Sequence, residues 1–348
     1  MEEIQQNPFI PMALLSLLLL LSITRIFLKS SSKKKLPPSP PKLPIIGNLH
    51  QLGSSLPHRS LHSLAKKHGP LMLLHFGSVP VLIVSSAEFA REIMVTHDTT
   101  FANRPRFKAM MKLVYGCRDV AFLPYGEYWR RLRSIVVLQL LSNKRVQSYR
   151  AIREEEAALI VKKVLETSGN TAVDLSAMFE SFSNDVIGRS AFGGKLSDSE
   201  NGKKFLEAMA DLMKLLGIID IGDFIAWLGW IGRVNGFDRR LDDTAKRIDL
   251  VLESVIQERM LEKKGVKEES GEHFVDILLD IYNHTTLDVS IDRDSLKAII
   301  LLLLADLLRK FDWKLANGVE PKDLDMSESP GMTVHRAVPL LALASPAT

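Results

Sequence analysis

The N-terminal segment restricts the possible architecture of this chain more than any other feature. From Phe9 to Thr24 there is no charge, and Leu14 to Leu21 is almost entirely leucine. Arg25 interrupts the run and Ile26, Phe27 and Leu28 resume it. A helical span needs roughly 20 apolar residues, so the run crosses a bilayer once Arg25 snorkels to the interface. Glu2 and Glu3 precede it, and Lys29, Lys33, Lys34 and Lys35 come after it. A cleaved secretory signal has the opposite polarity, so the expectation is a retained anchor with the body on the cytosolic side. The Asn283-His284-Thr285 sequon would stay unmodified there. Cys117 is the sole cysteine, which excludes an internal disulfide and any multi-cysteine metal centre.

Behind the anchor, Pro37, Pro38, Pro40, Pro41 and Pro44 crowd one short stretch. Such a segment is neither helix nor central strand; it favours polyproline II, a semi-rigid spacer between bilayer and body. The expected division is a signal anchor with its basic flank over 1–35, a proline-rich linker over 36–48, and the body from residue 49. The net charge of +4 lies mostly in the first 35 residues, where five cations face two acids. The remainder is nearly neutral, so nucleic acid is not an expected partner. With 46% hydrophobic and 25% charged residues, the body has globular composition.

Periodicity makes the body mainly helical with one early hairpin. Helices are expected over Leu56–His68, Ser86–His97, Gly126–Leu141, Asn143–Thr167, Leu175–Phe192, Gly202–Gly217, Asp238–Lys264, Phe274–Tyr282 and Ser295–Leu308. Leu71–Phe76 and Val81–Ser85 flank Gly77-Ser78-Val79-Pro80 as a hairpin. Phe101–Asp119 has no clean period and reads as a long loop, and Thr333–Val338 alternates like a short strand. His58 and His62 are four apart, but no third ligand accompanies them, so a surface helix is the better reading.

Several segments, in order, resemble plant microsomal cytochrome P450. They are Pro37-Pro38-Ser39-Pro40-Pro41 with Leu43-Pro44-Ile45-Ile46-Gly47-Asn48, Lys67-His68-Gly69-Pro70-Leu71, Phe101-Ala102-Asn103-Arg104-Pro105, and Pro124-Tyr125-Gly126-Glu127-Tyr128-Trp129-Arg130. Phe274–Leu279 and the tail from Phe311-Asp312-Trp313 to Gly331–Arg336 fit as well. The resemblance is strongest to the 71-type plant group acting on terpenoids, phenolics and other small hydrophobic metabolites. It implies an endoplasmic reticulum membrane protein, single-pass, that uses haem, oxygen and electrons from an NADPH-cytochrome reductase. It also implies a haem-propionate clamp at Trp129 and Arg133, which a helix places on one face. By the same resemblance Phe224, Trp227, Pro330 and Met332 face substrate.

Other parts of the family pattern do not appear. The cysteine-ligand loop is absent, and Cys117 lies far from where the ligand would be. Asp306 lacks the threonine of the proton relay. Glu88-Phe89-Ala90-Arg91 fits Glu-x-x-Arg but lies in an early helix, where a solvated face explains it. The chain therefore reads as an incomplete cytochrome P450 fold: the N-terminal two-thirds over 49–301, joined across a deletion to the C-terminal end over 302–348. Splicing of two ends in frame, or a gene-model error, accounts for two clean flanks better than divergence does. The expectation is a mainly α, loosened body with no catalytic residue, no metal ligand and no stably held haem. Each large side chain left in water forgoes roughly 1.5–3 kcal/mol. The hairpin is expected to keep an open edge. The alternatives are full monooxygenase activity, if the deletion is an error, or a non-catalytic membrane partner of full-length relatives.

Overall fold

Among the described residues two hydrophobic cores organise the fold, and the segment between the seventh and eighth long helices contributes Phe224 and Ile225 to the smaller one. The computed structural model describes residues 36–53, 56–167, 173–265, 273–283, 293, 294, 297, 325–339, 341 and 342. The anchor, the expected deletion point and the stretch 311–324 lie outside these residues, as does nearly all of the helix expected over Ser295–Leu308. Among the described residues no helix is long and apolar enough to cross a membrane.

The smaller core is N-terminal. Helix α1 (Pro57–His68) starts on a proline, whose missing N–H costs nothing at that position, and stops at Gly69 with φ 102°. Strands β1 (Leu71–Phe76) and β2 (Val79–Val84) pair antiparallel from Leu71↔Val84 to Phe76↔Val79. The expected four-residue turn shrinks to Gly77-Ser78, because Gly77 adopts φ 57° and closes the hairpin tightly. Met72, Leu74 and Phe76 point inward at alternate positions and pack with Leu52, Ala65, Phe224 and Ile225.

The linker is more than a spacer. Leu73 donates its N–H to Pro38 O at 2.9 Å. His75 donates to the fully buried Asn48 side chain at 2.8 Å, while Asn48 N donates back to His75 O at 2.6 Å. The outer edge of β1 is thus covered by residues 38–48, so this segment packs on the hairpin as well as spacing it. Among the described residues, the edge without a strand partner is that of β2.

The larger core is helical. Helix α2 (Ala87–Arg91) is capped by Ser86 Oγ and runs on as a π-helical turn over Glu92–Thr96. Helix α3 (Lys108–Leu113) lies inside the segment expected to be loop. Helix α4 (Glu127–Ile135) also ends in a π turn, Val136–Leu140. The helix expected over 143–167 breaks at Tyr149, which packs edge-on against Phe274 at 5.0 Å. A short helix Asn143–Ser148 precedes that break and α5 (Arg150–Thr167) comes after it.

Strand β3 (Val173–Asp174) leads into α6 (Leu175–Phe192), whose bounds match expectation. Asp174 accepts the Ala177 N–H at its start and Gly193, at φ 83°, ends it. Then come α7 (Glu200–Leu216), α8 (Phe237–Gly265) and α9 (Phe274–Asn283). Phe205, Ala208, Met209, Leu212 and Leu215 form one stripe of α7. They pack with Leu241, Ile248, Leu252 and Ile256 of α8, and with Val275, Leu278 and Leu279 of α9. The tail forms β4 (Glu328–Ser329) paired with β5 (His335–Arg336), and β6 (Leu341–Ala342) pairs with β3.

Phe224, from the segment between α7 and α8, anchors that segment in the smaller core. Its ring lies 5.6 Å from both Phe76 and Phe107, and its carbonyl accepts from Ser78 N at 3.2 Å. Gly77 is required there, since a Cβ would sit 2.3 Å from Phe224 O.

Candidate functional site

Helix α4 carries Trp129 and Arg133, the pair expected to meet a propionate, and the loop before it decides how Trp129 is held. Tyr115, Gly116 and Cys117 adopt φ 48°, 71° and 61°, so three successive residues lie in the left-handed region. Asp119 then accepts the N–H groups of Ala121 at 2.7 Å and Phe122 at 3.0 Å. Burial pushes the Asp119 carboxyl above its ordinary range, and these backbone donors only partly offset it. The turn they fix presents Val120 O to Trp129, whose Nε1–H donates to it at 2.8 Å.

Four residues on, the Arg133 guanidinium lies 5.6 Å from the centre of the Trp129 ring. The Tyr125 ring packs against Trp129 at 5.4 Å, with Arg130 5.7 Å from Tyr125. The result is a layered cation–aromatic stack on an exposed helix face. Among the described residues Arg133 has no acidic partner, whereas Arg131 pairs with Glu127.

Of the helix expected over Ser295–Leu308, Lys297 is described, and it is tied to α8. Lys297 Nζ reaches Asp249 Oδ1 at 2.6 Å and Glu253 Oε2 at 3.0 Å, both on α8. Tyr115 donates its hydroxyl to Asp249 at 3.0 Å, and Arg293 donates to Glu253 at 3.0 Å. The Arg293 guanidinium, reinforced by Lys297, holds the Glu253 carboxyl down to about 2. Burial pushes the Tyr115 hydroxyl well above its ordinary value.

The four residues assigned to substrate by resemblance differ in exposure. Phe224 is buried in the small core, and Trp227 is 65% exposed nearby. Pro330 is exposed on the tail turn. Met332 is partly exposed, and its N–H donates to Met213 O at the end of α7 at 3.1 Å. Gly217 and Gly331 touch there through backbone, since a Cβ on Gly217 would lie 2.3 Å from the Gly331 carbonyl carbon.

The cytochrome P450 family profile matches residues 37–305. The chain belongs to the cytochrome P450 family. It is 50% identical over 279 residues to cytochrome P450 736A117 of Prunus mume, covering 79% of this chain and 54% of that protein. It is 51% identical over 314 residues to cytochrome P450 71A8 of Mentha piperita, covering 88% and 59%. It is 46% identical over 329 residues to the norfluorocurarine oxidase of a Strychnos species, covering 90% and 64%. The chain thus spans a little over half the length of these relatives. A zebrafish cytochrome P450 solved with progesterone aligns at a TM-score of 0.57 and 22% identity, over 74% of this chain and 57% of that one, which shows the shared fold.

Cytochrome P450 chemistry rests on haem, so the donors present can be tested against it. Arg133 suits a propionate: it is cationic, exposed and free of acidic partners among the described residues. Trp129 suits it less, because its one N–H is already spent on Val120 O. The thiol does not suit the iron. Cys117 is fully buried, with Sγ 3.7 Å from Met111 Sδ. Burial, with Asp119 nearby, pushes the thiol above its ordinary value, away from the thiolate a metal requires. The donor set therefore fits one edge of a P450 haem and not its centre.

The Trp129–Arg133 spacing is legible in the sequence. The Val120 carbonyl that seats Trp129 is not, since a backbone acceptor leaves no residue signature. An aspartate two residues ahead of a turn, here Asp119, is the available signal.

Proposed function

We propose that this chain is a membrane-anchored member of the plant 71-type cytochrome P450 family that does not itself catalyse monooxygenation. One observation carries the reading: the only thiol of the chain is sealed against Met111, with its proton held on. The relatives' chemistry depends on a cysteinate that pushes electron density onto iron, and nothing at Cys117 supports that role. The end of the family match at residue 305 agrees with a junction over Leu301–Ala305, where the family-like sequence changes abruptly.

In this reading the anchor holds the body on the cytosolic face of the endoplasmic reticulum. The family's oxidation of small hydrophobic plant metabolites, with electrons from an NADPH-cytochrome reductase, belongs to full-length relatives. What remains here is a scaffold with the α4 cation stack intact, suited to a non-catalytic role beside such relatives. The test is the carbon monoxide difference spectrum of the reduced full chain, purified from membranes after growth with a haem precursor. The expected result is no thiolate-type Soret shift. A shift that disappears in Cys117→Ser overturns the reading.

A further inference from the structure

The hairpin has two edges, and the hydrogen-bond phase of its ladder fixes what each one offers. Pro70 and Ser85 lie opposite each other, and Ser85 N donates to Pro70 O at 2.8 Å. Bonded and non-bonded positions alternate along an antiparallel pair. Leu73 and His75 therefore turn their backbone groups away from β2, while Val84, Leu82 and Pro80 turn theirs away from β1. The outer edge of β1 obeys this phase, since the N–H groups of Leu73 and His75 reach Pro38 O and Asn48 Oδ1. On the β2 side the outward row begins at Ser78, whose N–H is taken by Phe224 O. Pro80, next in the row, has no N–H. The N–H groups of Leu82 and Val84, and the carbonyls of Pro80, Leu82 and Val84, have no hydrogen-bond partner among the described residues.

No charge guards this row. From Phe76 to Ala87 there is no ionisable side chain, whereas exposed edges are ordinarily blunted by lysine or an inward-pointing charge. The free groups also match themselves. Two donors and three acceptors at alternate residues fit a second copy laid antiparallel, with Leu82 on the twofold axis. The two Leu82 residues then exchange both of their bonds, and each Val84 N–H reaches Pro80 O of the other copy. All four donors of the pair are satisfied. The donor that Pro80 lacks would have faced Val84 O, at the end of the row, where water takes its place.

We propose that β2 pairs edge to edge with β2 of a second copy of this chain, joining two hairpins into one four-stranded antiparallel sheet. Five paired residues form a strip far smaller than the interface of a permanent dimer, so the pair is weak and reversible. The twofold axis closes the contact at two copies, and growth beyond a dimer uses other surfaces. The pairing involves neither haem nor the thiol and stands whether or not the chain supports oxidation.

The test is disulfide trapping in the full chain, reconstituted in phosphatidylcholine vesicles. Copper phenanthroline is the oxidant and takes two electrons from each pair of thiols, whose protons go to water. Leu82→Cys places two thiols at the twofold axis, where opposed Cα atoms lie about 5.5 Å apart, within the range of about 4.4–6.8 Å that a disulfide spans. Val79→Cys is the comparison. Val79 is 37% exposed, but its two copies would lie roughly 20 Å apart, six residues out of register. The Leu82→Cys dimer should form at least about tenfold faster than the Val79→Cys dimer. Adding Val84→Pro to Leu82→Cys removes one outward donor from each copy and leaves the ladder with β1 intact. It should slow trapping about tenfold. Cys117 is fully buried, so the unsubstituted chain should give no trapped dimer.

Absence of a Leu82→Cys dimer overturns the proposal, as do equal rates for Leu82→Cys and Val79→Cys. An unchanged rate in the folded Val84→Pro variant overturns the backbone pairing. Circular dichroism reports whether each variant folds. Should Val84→Pro not fold, the comparison of Leu82→Cys with Val79→Cys decides alone.

Discussion

Helices α5 and α6 are both eighteen residues long and lie against each other, yet they meet solvent in opposite ways. Helix α6 buries eight residues, among them Ser183, Gly188, Ser190 and Ala191, small enough to let neighbours approach closely. Among the described side chains of α5, Glu156 alone is buried. That carboxylate receives Arg189 Nη1 at 2.7 Å and Lys195 Nζ at 2.6 Å, so the most buried contact of α5 with its partner is ionic. Ile152, Ile160 and Val164 line up with Glu156 at four-residue spacing and are half-buried. A second stripe, Ala157, Val161 and Leu165, is exposed. Apolar residues on two faces describe a helix with two neighbours, and among the described residues one face of α5 is covered. Burial is a property of a helix and its surroundings together, and α5 is the helix whose sequence asks for more surroundings than it has there.

The strongest way to break this comparison is to truncate a β-branched side chain to alanine on each helix. Ile187→Ala on α6 removes a side chain that is 4% exposed and should cost about 3 kcal/mol in chemical denaturation. Val161→Ala on α5, where the side chain is 58% exposed, should stay within about 0.5 kcal/mol. Equal losses would mean that α5 is buried after all. Glu156→Gln comes next, at about 2 kcal/mol, less than a fully buried pair because Arg189 and Lys195 are each one-quarter exposed. Burial raises the Glu156 carboxyl, but Lys195 and Arg189 outweigh it and leave it below 4.5. Its contribution is therefore complete above that value and fades as pH falls through the lower folded one. Native and Glu156→Gln melting temperatures should converge in acid.

Local signals explain why α6 is readable to the residue while α3 is not. Asp174 and Gly193 sit beside α6 in sequence and mark both of its ends. Helix α3 begins after Phe107, which caps nothing; its first N–H is taken by Asp223, which lies 115 residues further on. A cap supplied in trans cannot be seen in a local window. The same holds for the site. Trp129 and Arg133 stand out by spacing within one helix. The Val120 carbonyl that seats Trp129 comes from the loop before that helix, and only the fold brings the two together. The break at Tyr149 has a related cause, since its ring is claimed by Phe274 of α9.

A smaller effect sharpens the comparison at the other end of the core, where α8 is tied to the segment beyond α9 by charge. Glu253, held down to about 2 by Arg293, contributes above its ordinary 4.5 and loses that contribution as pH falls toward 2. Its side chain is 30% exposed, so Glu253→Gln should cost only about 1 kcal/mol at neutral pH. Hydrogen exchange should quicken at Arg293, Asp294 and Lys297 before it does in α8. Simultaneous loss of protection in both would show that the ionic tie is integral to the core, as the Glu156 contact is.

The smallest effect on folding is the most informative about the second face of α5. Val161→Lys and Leu165→Gln both fall on the exposed stripe, where side chains are 58% and 54% exposed. Neither removes a buried contact, so the pair should leave the melting temperature almost unchanged. An apolar stripe facing water is nonetheless a surface for unintended association. The native chain in nanodiscs is therefore expected to self-associate at rising concentration and the doubly substituted chain to remain monodisperse, as read by sedimentation velocity. If instead the pair lowers the melting temperature as much as Ile187→Ala does, the stripe is covered in solution. The contrast between α5 and α6 would then lie in what covers each helix rather than in how much of it is covered.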